Sequence, residues 1–409
     1  MAKDYKELVV GLDIGTAKVM VVVAEVLPDG ELKLAGLGVA PSNGLKRGVV
    51  VNIDATVQSI QQALKEAEFM ADCKITNVYT GITGSHIRGI NSTGMVAVKD
   101  KEVTAADVAR VVETAKAINI STDQRLLLVQ PQEFVIDGQD VREPIGMSGI
   151  RLEAKVHIVT GAQSAAENII KCVRRCGLDV DRLMLNPLAS SLSVLTDDER
   201  ELGVALVDIG AGTTDVAIFT NGAIRHTAVI PIAGDLITSD IAMALRTPTK
   251  DAEEIKIESG YAKQLLADPD VQVEVPGLGD RTPRMLSRQA LAGVIEPRVE
   301  EIFSLVQQVI RDSGYEEVLS SGIVLTGGSA VMPGMVELGE DIFLKPVRRG
   351  VPQYNSALAD MVAQPRAATV MGLLAEAGVD RQRGFKVSQK SGSVNSLMDR
   401  LKDWFVGNF

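Results

Sequence analysis

Aromatic residues, cysteines and histidines are scarce in this sequence, and so are long apolar runs. Aromatic residues make up 3% of the chain, and three cysteines and three histidines occur among its 409 residues. So few cysteines exclude a disulfide scaffold and fit a reducing compartment. Cys172 and Cys176, one helical turn apart, are interpreted as small apolar helix residues rather than as a metal clip. With no run of about 18 apolar residues and no apolar signal region at the start, we expect a protein that stays in the cytoplasm.

The net charge of −11 excludes a further class of partner. A nucleic-acid binder needs a basic surface to meet phosphates, so we expect no nucleic-acid partner. A nucleotide is compatible with this charge, because backbone amides can hold its phosphates. Apolar residues make up 46% of the chain and charged residues 23%, the balance of a soluble globular protein, and the length suggests two domains.

Two segments, 9–23 and 205–219, resemble each other. Each has an apolar strand, an Asp-Ile-Gly turn with hydroxyl residues, and a second apolar strand. Asn221-Gly222 after the second copy is a strong hairpin signal, and Pro28-Asp29-Gly30 has the same part after the first. The sequence therefore predicts two β-hairpins, each opening one half of a duplicated domain.

Apolar residues at helical spacing predict several helices around these hairpins. Thr104 suits an N-cap, Gly177 suits a helix end, and Pro297 is expected to kink or divide the last long helix. The predicted helices cover residues 55–71, 104–118, 164–176, 251–266 and 288–313. The stretch from about 84 to 163 alternates strands with one helix, which predicts a small inserted α/β subdomain.

The paired turns suggest a site for a magnesium-bound triphosphate. Glycine allows phosphate oxygens to approach the backbone, hydroxyls and amides donate hydrogen bonds, and Mg²⁺ keeps its water shell and is oriented by carboxylates. The predicted phosphate-binding residues are Asp13, Gly15, Thr16, Lys18, Asp208, Gly210, Gly212, Thr213 and Thr214, with Asp13 and Asp208 holding Mg²⁺ through water. Asp215 is expected further along the strand. One glycine turn alone is weak evidence, and two copies half a chain apart are much stronger.

A third glycine turn follows an apolar strand within 321–334. The adjacent Gly327 and Gly328, with Ser329 and Met332, suit an adenine ring lying on bare backbone. A tight strand-to-helix turn is the alternative interpretation.

These motifs, in this order, resemble the actin/Hsp70/sugar-kinase superfamily. The family's two connecting helices are matched by 186–193 and 366–374, its ribose-binding helix by Glu253 and Lys256, and another phosphate-proximal turn by Gly234. The alternative for Glu253 and Lys256 is an exposed surface ion pair. The resemblance implies an α/β, duplicated actin-like (ribonuclease H-like) fold, with two lobes around a nucleotide cleft that binds ATP and Mg²⁺.

Over essentially the whole chain, including Val-Ile-Glu-Pro-Arg at 294–298, the sequence is most similar to the actin-like family of bacterial cell-division proteins. That family replaces one small actin subdomain by another in a different place. The implied division is lobe 1 from 1–83, 164–195 and 360–377; an inserted subdomain from 84–163; lobe 2 from 196–228 and 301–359; a small subdomain from 229–300; a flexible linker from 378–393; and a terminal helix from 394–409.

Actin-like ATPases position the attacking water with Gln or Glu at the start of the first connecting helix. The matching residue here is Asn186, which is one methylene shorter than Gln and is followed by proline. Because water positioning depends on fine geometry, we expect at most weak ATP hydrolysis.

The segment 394–409 carries its apolar residues on one helix face. The predicted membrane-contacting residues are Leu397, Met398, Leu401, Trp404, Phe405 and Phe409. Docking on the protein's own core is the alternative, but the preceding linker favours an interfacial membrane anchor. Its basic residues are balanced by acidic ones, so we expect apolar burial to dominate binding.

The resemblance implies further partners. The family polymerises on the inner face of the cytoplasmic membrane at the division site and binds the C-terminal tail of the tubulin-like protein FtsZ. Arg284, Arg288 and Arg298 are candidates for meeting that acidic tail, with solvated helix charges as the alternative. The 84–163 insert is expected to mediate self-association and contacts to later division proteins. The competing functions are an actin-like assembly ATPase of a pilus or secretion system and a small-molecule kinase or phosphatase, and neither calls for the terminal helix.

Overall fold

The computed structural model describes residues 7–279, 281–354 and 359–382. Its strands are β1 (Leu8–Ile14), β2 (Lys18–Val26), β3 (Leu32–Pro41), β4 (Leu45–Lys46), β5 (Val49–Val50), β6 (Asn77–Ile82), β7 (Arg88–Ala97), β8 (Gln124–Ile136), β9 (Gln139–Val141), β10 (Arg151–Ala162), β11 (Asp179–Leu185), β12 (Val204–Ile209), β13 (Thr214–Thr220), β14 (Ala223–Ile230), β15 (Gln272–Val275), β16 (Arg284–Ser287), β17 (Ile323–Thr326) and β18 (Val347–Arg349). Its α-helices are α1 (Ile53–Ala71), α2 (Ala105–Lys116), α3 (Gln163–Arg175), α4 (Asn186–Val194), α5 (Asp197–Leu202), α6 (Gly234–Leu245), α7 (Thr249–Ser259), α8 (Arg288–Ser313), α9 (Met335–Phe343), α10 (Ala359–Val362) and α11 (Ala368–Gln382).

Two five-stranded sheets are each built around one of the repeated hairpins. In the first sheet, with strand order β11-β6-β1-β2-β3, β1 pairs antiparallel with β2 and parallel with β6. The second sheet, with order β14-β13-β12-β17-β18, repeats the pattern, because β12 pairs antiparallel with β13 and parallel with β17. We call the halves built on these sheets lobe 1 and lobe 2. The predicted duplicated α/β architecture is confirmed.

Strand β2 is apolar at consecutive positions because both faces of its sheet are covered. Val21 on one face packs in a core with Ile60 of α1, and Val22 on the other face packs with Leu373 of α11. Helix α11 approaches β1 so closely that a Cβ on Gly11 would lie 2.7 Å from a backbone carbonyl oxygen of the helix. The position therefore requires glycine.

The chain between β6 and α3 forms a separate four-stranded sheet, with order β7-β10-β8-β9, that packs against α2. Thr104 and Asp107 form a capping box at the start of α2. The insert also contacts edge strand β14 of lobe 2: the buried His157 Nε2 lies 2.9 Å from Thr227 Oγ1, and Gln132 Nε2 donates to the Ile224 carbonyl at 2.8 Å. It therefore meets both the lobe that it interrupts and the opposite lobe.

The predicted helices 55–71, 104–118, 164–176 and 288–313 agree with α1, α2, α3 and α8 to within two residues at each end. Helix α8 continues through Pro297, which therefore does not divide it. The buried Ile295 and Val299 beside that proline anchor the helix in the core. The helix predicted over 251–266 was too long: α7 ends at Ser259, because Gly260 adopts an extended conformation.

Helix α11 reaches Gln382, so the first part of the segment predicted as a linker, 378–382, is helical instead. Tertiary contacts explain the extension, since Tyr79 Oη donates to Asp380 Oδ2 at 2.9 Å and Gln382 Nε2 donates to the Gly30 carbonyl at 2.6 Å. Residues 383–393 and the predicted terminal helix 394–409 lie outside the described residues. Among the helices that the structure describes, none is long and apolar enough to cross a membrane.

Candidate nucleotide site

The two Asp-Ile-Gly turns have the same backbone bonding. In lobe 1 the Gly15 N–H donates to the Lys18 carbonyl at 2.9 Å, and in lobe 2 the Gly210 N–H donates to the Thr213 carbonyl at 2.9 Å. Each turn joins two buried antiparallel strands. The apolar strands thus fix both turns to the sheets, and the turns face one cleft.

Two buried carboxylates lie at the ends of the first strands of these hairpins. Asp13 and Asp208 are each 7% exposed. Asp13 Oδ2 lies 3.7 Å from Lys18 Nζ, and Asp208 Oδ2 accepts hydrogen bonds from the hydroxyls of Ser190 at 2.5 Å and Thr369 at 3.3 Å. Burial raises the pKa of Asp13, although Lys18 opposes the shift; burial likewise raises the pKa of Asp208 to about 6, opposed by the Ser190 hydrogen bond and reinforced by the charge of Asp13. Carboxylates held in this way favour a bound cation.

Asp215 is a third buried carboxylate, directly opposite Asp208 in the β12–β13 pairing. Its Oδ1 accepts a short hydrogen bond from the Thr83 hydroxyl of lobe 1, and its Oδ2 accepts one from Thr213 at 3.1 Å. Burial and the neighbouring Asp208 charge raise the pKa of Asp215 to about 7. This carboxylate therefore belongs to the cleft and joins the two lobes.

The two glycine turns come together beside the hairpin β4–β5. The Gly48 N–H donates to Thr16 Oγ1 at 3.1 Å. A Cβ on Gly212 would lie 2.6 Å from Thr16 Oγ1 and 2.9 Å from the Arg47 Cα. Only a residue without a side chain allows this approach, and the same bareness leaves the turn amides open to an oxyanion.

The other side of the lobe 2 turn meets the predicted adenosine-binding residues. Ser329 Oγ donates to the Gly210 carbonyl at 2.8 Å, and the Gly234 N–H donates to the same carbonyl at 3.2 Å. Lys256 Nζ bonds to the Gly234 carbonyl at 3.2 Å and pairs with Glu253 Oε2 at 2.6 Å. The structure thus brings Glu253, Lys256, Gly234 and Ser329 to one end of the turn, where the Lys256 side chain is 10% exposed and that of Glu253 is 40% exposed.

The third glycine turn lies between this group and lobe 1. Gly327 has φ +88°, which favours glycine, and Gly328 has open space around the position of a Cβ, with Arg366 Cβ nearest at 3.9 Å. Met332 is buried in the lobe 2 core. The open space beside Gly328 is compatible with the predicted adenine site, which stays a prediction.

Two of the three threonine hydroxyls that the sequence offers as phosphate donors already donate elsewhere. Thr213 donates to Asp215, and the fully buried Thr214 donates to the Ile232 carbonyl at 2.8 Å. Thr16 Oγ1 only accepts, from the Gly48 N–H, so its hydroxyl proton can still be donated to a phosphate.

Asn186, the predicted water-positioning residue, begins α4 one turn before Ser190. Its Oδ1 is buried against Gly81 and finds no hydrogen-bond partner within the part of the chain that the structure describes. A buried acceptor without a partner costs free energy, so a water or ligand is expected to satisfy it.

The residues present fit a magnesium nucleotide. Bare glycine turns offer amides, Lys18 offers one cation, and the carboxylates of Asp13 and Asp208 lie where they can orient metal-bound water.

The family model described as "Cell division protein FtsA" matches residues 205–372, and the one described as "SHS2 domain inserted in FTSA" matches 84–160. Cell division protein FtsA of Pseudomonas aeruginosa is 56% identical over 410 aligned residues, which cover 98% of each chain. The chain belongs to the FtsA family. The predicted membership of the actin-like cell-division family is confirmed.

Solved structures show the same fold as this FtsA family member. The PilM-PilN type IV pilus biogenesis complex aligns with a TM-score of 0.65 at 18% identity, covering 90% of this chain and 98% of that one. MreB 5 of Spiroplasma citri bound to AMPPNP aligns with a TM-score of 0.56 at 15% identity, covering 94% and 100%. The actin-like fold predicted from the sequence is confirmed.

The arginines proposed for FtsZ-tail binding have different surroundings. Arg298 pairs with Asp240 at 2.6 Å and with Glu301, so its charge is already balanced. Arg284 donates to the Leu245 carbonyl at 2.7 Å, and Arg288 Nε is buried without a partner among the described residues. Unlike Arg298, Arg284 and Arg288 form no ion pair with the described residues, and their role in FtsZ-tail binding stays a prediction. The six predicted membrane-contacting residues lie outside the described residues.

Sequence reasoning missed several residues of this FtsA-type cleft. Thr83 bonds to Asp215 but carries no local motif. Ser190 and Thr369 lie in the two segments matched to connecting helices, but nothing in those segments predicted that their hydroxyls bond to Asp208. Asp215 could have been found from the sequence, because aligning the two repeats places this acidic residue at the position of the apolar Met20. Arg47 lies in a short turn that no pattern connects with the glycine turns.

Proposed function

We propose that this FtsA family member binds ATP with Mg²⁺ between its lobes and uses it as a conformational and polymerisation ligand in bacterial cell division. The observation that carries the proposal is the meeting of two equivalent glycine turns at one cleft with buried carboxylates. The structural likeness to an MreB bound to AMPPNP supports an adenine nucleotide as the ligand.

In this proposal Gly15 and Gly210 close the turns with their own amides and leave room beside them for phosphate oxygens, the Gly212 amide donates to those oxygens, and Lys18 neutralises charge. Asp13 and Asp208 hold Mg²⁺ through water, which suits an ion that gives up its hydration reluctantly. Glu253 and Lys256 bind the ribose, and the backbone of the Gly327–Gly328 turn supports the adenine. Hydrolysis is weak at most, because the short Asn186 side chain positions a water poorly.

Binding of MgATP to the purified full-length chain tests this part of the proposal. Isothermal titration calorimetry is expected to give one nucleotide per chain, with affinity reduced by EDTA. A chain that is folded by circular dichroism but takes up no adenine nucleotide would overturn it.

The wider role proposed for this chain is to polymerise on the inner face of the cytoplasmic membrane and to tie FtsZ filaments to it. Family membership supports that role, and the spacing of the apolar residues in 394–409 predicts the apolar helix face of an interfacial anchor. One short helix binds weakly, but several on one polymer bind firmly through effective concentration. The insert is proposed to mediate self-association and to recruit later division proteins.

Vesicle co-sedimentation tests the anchor. The full chain is expected to sediment with anionic phospholipid vesicles and to carry an FtsZ tail peptide with it, with little salt dependence. Deletion of 394–409 is expected to leave the chain and the peptide in the supernatant; equal sedimentation of both forms would refute the anchor.

A further inference from the structure

The tip of the β4–β5 hairpin is a two-residue turn formed by Arg47 and Gly48. Both residues have positive φ, +50° and +77°. A turn with two positive φ angles is favoured by Asn-Gly or Asp-Gly, since asparagine and aspartate tolerate this conformation better than long side chains. Arginine at the first position is therefore an unfavourable choice for the turn itself.

The same chain uses the favoured residues elsewhere. Asn221-Gly222 connects β13 and β14 with φ +52° and +72°, and Asp137-Gly138 connects β8 and β9 with φ +49° and +90°. These turns lie away from the glycine turns. Of the three turns, the one on the cleft has Arg47 at the position where the other two have asparagine or aspartate.

The position of this turn explains why a cation there would matter. The Arg47 Cα would lie 2.9 Å from a Cβ on Gly212, and Gly48 packs against Thr83 of lobe 1 and Thr213 of lobe 2. The Gly48 N–H also bonds to Thr16. The turn is thus fixed at the point where both phosphate-binding turns meet, and local conformational cost retained at such a point indicates function.

The charge of Arg47 is not used within the described part of the protein. Its side chain is exposed and forms no ion pair or side-chain hydrogen bond with the described residues, and the same holds for Lys46 beside it. The cleft that it borders contains the carboxylates of Asp13, Asp208 and Asp215. Its two lysines are already paired, Lys18 with Asp13 and Lys256 with Glu253, and Arg366 lies beside the third glycine turn. A bound triphosphate would therefore gain from an unpaired cation at its far end.

The arrangement also indicates which phosphate Arg47 reaches. Gly210 contacts Ser329, on the proposed adenosine side, whereas Gly212 lies against Thr16 and Arg47 on the opposite side. The phosphate nearest Arg47 is therefore the one farthest from the nucleoside. This step rests on the proposed nucleotide function.

We propose that Arg47 binds the terminal phosphate of a nucleoside triphosphate and so makes the cleft prefer ATP to ADP. The guanidinium fork can donate two hydrogen bonds to one phosphate, which lysine cannot reproduce. Because both lobes hold the turn, Arg47 binding to that phosphate favours the closed arrangement of the lobes.

The test compares Arg47→Asn with Lys46→Asn. Each variant loses one exposed cation from the same hairpin, and asparagine suits the Arg47 conformation, so folding is not at risk. We expect Arg47→Asn to weaken MgATP binding about tenfold, as for loss of a charge-assisted hydrogen bond, and MgADP binding less than about twofold. Lys46→Asn should change neither by more than about twofold, and Arg47→Lys should keep part of the ATP preference.

Calorimetry with both nucleotides at dilute, non-assembling protein concentrations measures these affinities, and a melting curve checks that Arg47→Asn is at least as stable as wild type. Equal losses for ATP and ADP, unchanged ATP affinity, or an effect on filament sedimentation alone would each overturn the assignment. If wild type binds neither nucleotide, the proposed nucleotide function fails instead, so the two failures are distinguishable.

Discussion

The two glycine hairpins share a backbone and differ in the side chains at matching positions. Gly15 and Gly210 make the same turn bond, but the residue that accepts it is Lys18 in lobe 1 and Thr213 in lobe 2. Two residues later the difference increases, because lobe 1 has the apolar Met20 and lobe 2 has Asp215.

This difference divides the chemistry of the cleft between the lobes. The common backbone gives each lobe amides for an oxyanion, while the side chains give lobe 1 the cation and lobe 2 the additional carboxylate. Thr83 of lobe 1 then bonds to Asp215 of lobe 2. The repeats therefore share the turn geometry and one carboxylate each, Asp13 and Asp208, and differ in the further charges, Lys18 in lobe 1 and Asp215 in lobe 2.

The largest expected effect comes from filling the space between the hairpins. Gly212→Ala places a Cβ 2.6 Å from Thr16 Oγ1 and 2.9 Å from the backbone of Arg47, whereas Gly15→Ala meets only the Lys18 carbonyl at 3.0 Å. We expect Gly212→Ala to reduce MgATP affinity by about a hundredfold or more and Gly15→Ala by about tenfold, because only the first separates the lobes. Calorimetry measures both.

Gly177→Ala is the control for the glycine variants. Gly177 has φ +81° and nothing within 4 Å of a Cβ, so alanine there costs stability through the backbone alone. Its MgATP affinity should equal that of wild type. Equal losses for Gly212→Ala and Gly15→Ala would contradict the idea that the lobe 2 glycine controls closure.

A smaller effect is expected from removing the charge of lobe 1. Lys18→Met keeps the carbonyl that closes the turn and removes the partly buried cation, so MgATP affinity should fall about tenfold to thirtyfold. Thr213→Val, at the equivalent position in lobe 2, removes a hydroxyl bonded to Asp215 and should cost less than about fivefold. Similar losses for the two variants would mean that the hairpins do not divide the charges as proposed.

Much of this comparison was available from the sequence. The repeated Asp-Ile-Gly pattern is local, and apolar strands on both sides fix its conformation, so the hairpins and the fold were predicted correctly. The Asn221-Gly222 turn was also predicted from the sequence, and both of its residues have positive φ.

What the sequence did not reveal was decided by tertiary contacts. The bond from Thr369 to Asp208 spans 161 residues. Helix α11 continues beyond its predicted end because Asp380 bonds to Tyr79, and α8 contains Pro297 because packing of its inner face outweighs one lost backbone bond. Local propensity does not predict contacts between residues that are far apart in the sequence.

The smallest expected effect concerns the carboxylate that lobe 1 lacks. The pKa of Asp215 is raised to about 7 from an ordinary value of 3.8, so the folded protein retains this proton at pH values where the unfolded chain has lost it. Stability therefore falls as pH rises through this window, and between pH 6 and 8 Asp215 contributes a loss of about 1 kcal/mol in the unfolding free energy. Asp215→Asn should remove that part of the slope, leaving the contribution of Asp208.

Urea unfolding of the nucleotide-free protein in EDTA at pH 6 and pH 8 measures this change in the unfolding free energy, with Met20→Leu as the lobe 1 control. If Asp215→Asn keeps the wild-type slope, the Asp215 carboxyl group does not titrate in this window, and the asymmetry between the hairpins then lies in shape rather than in charge.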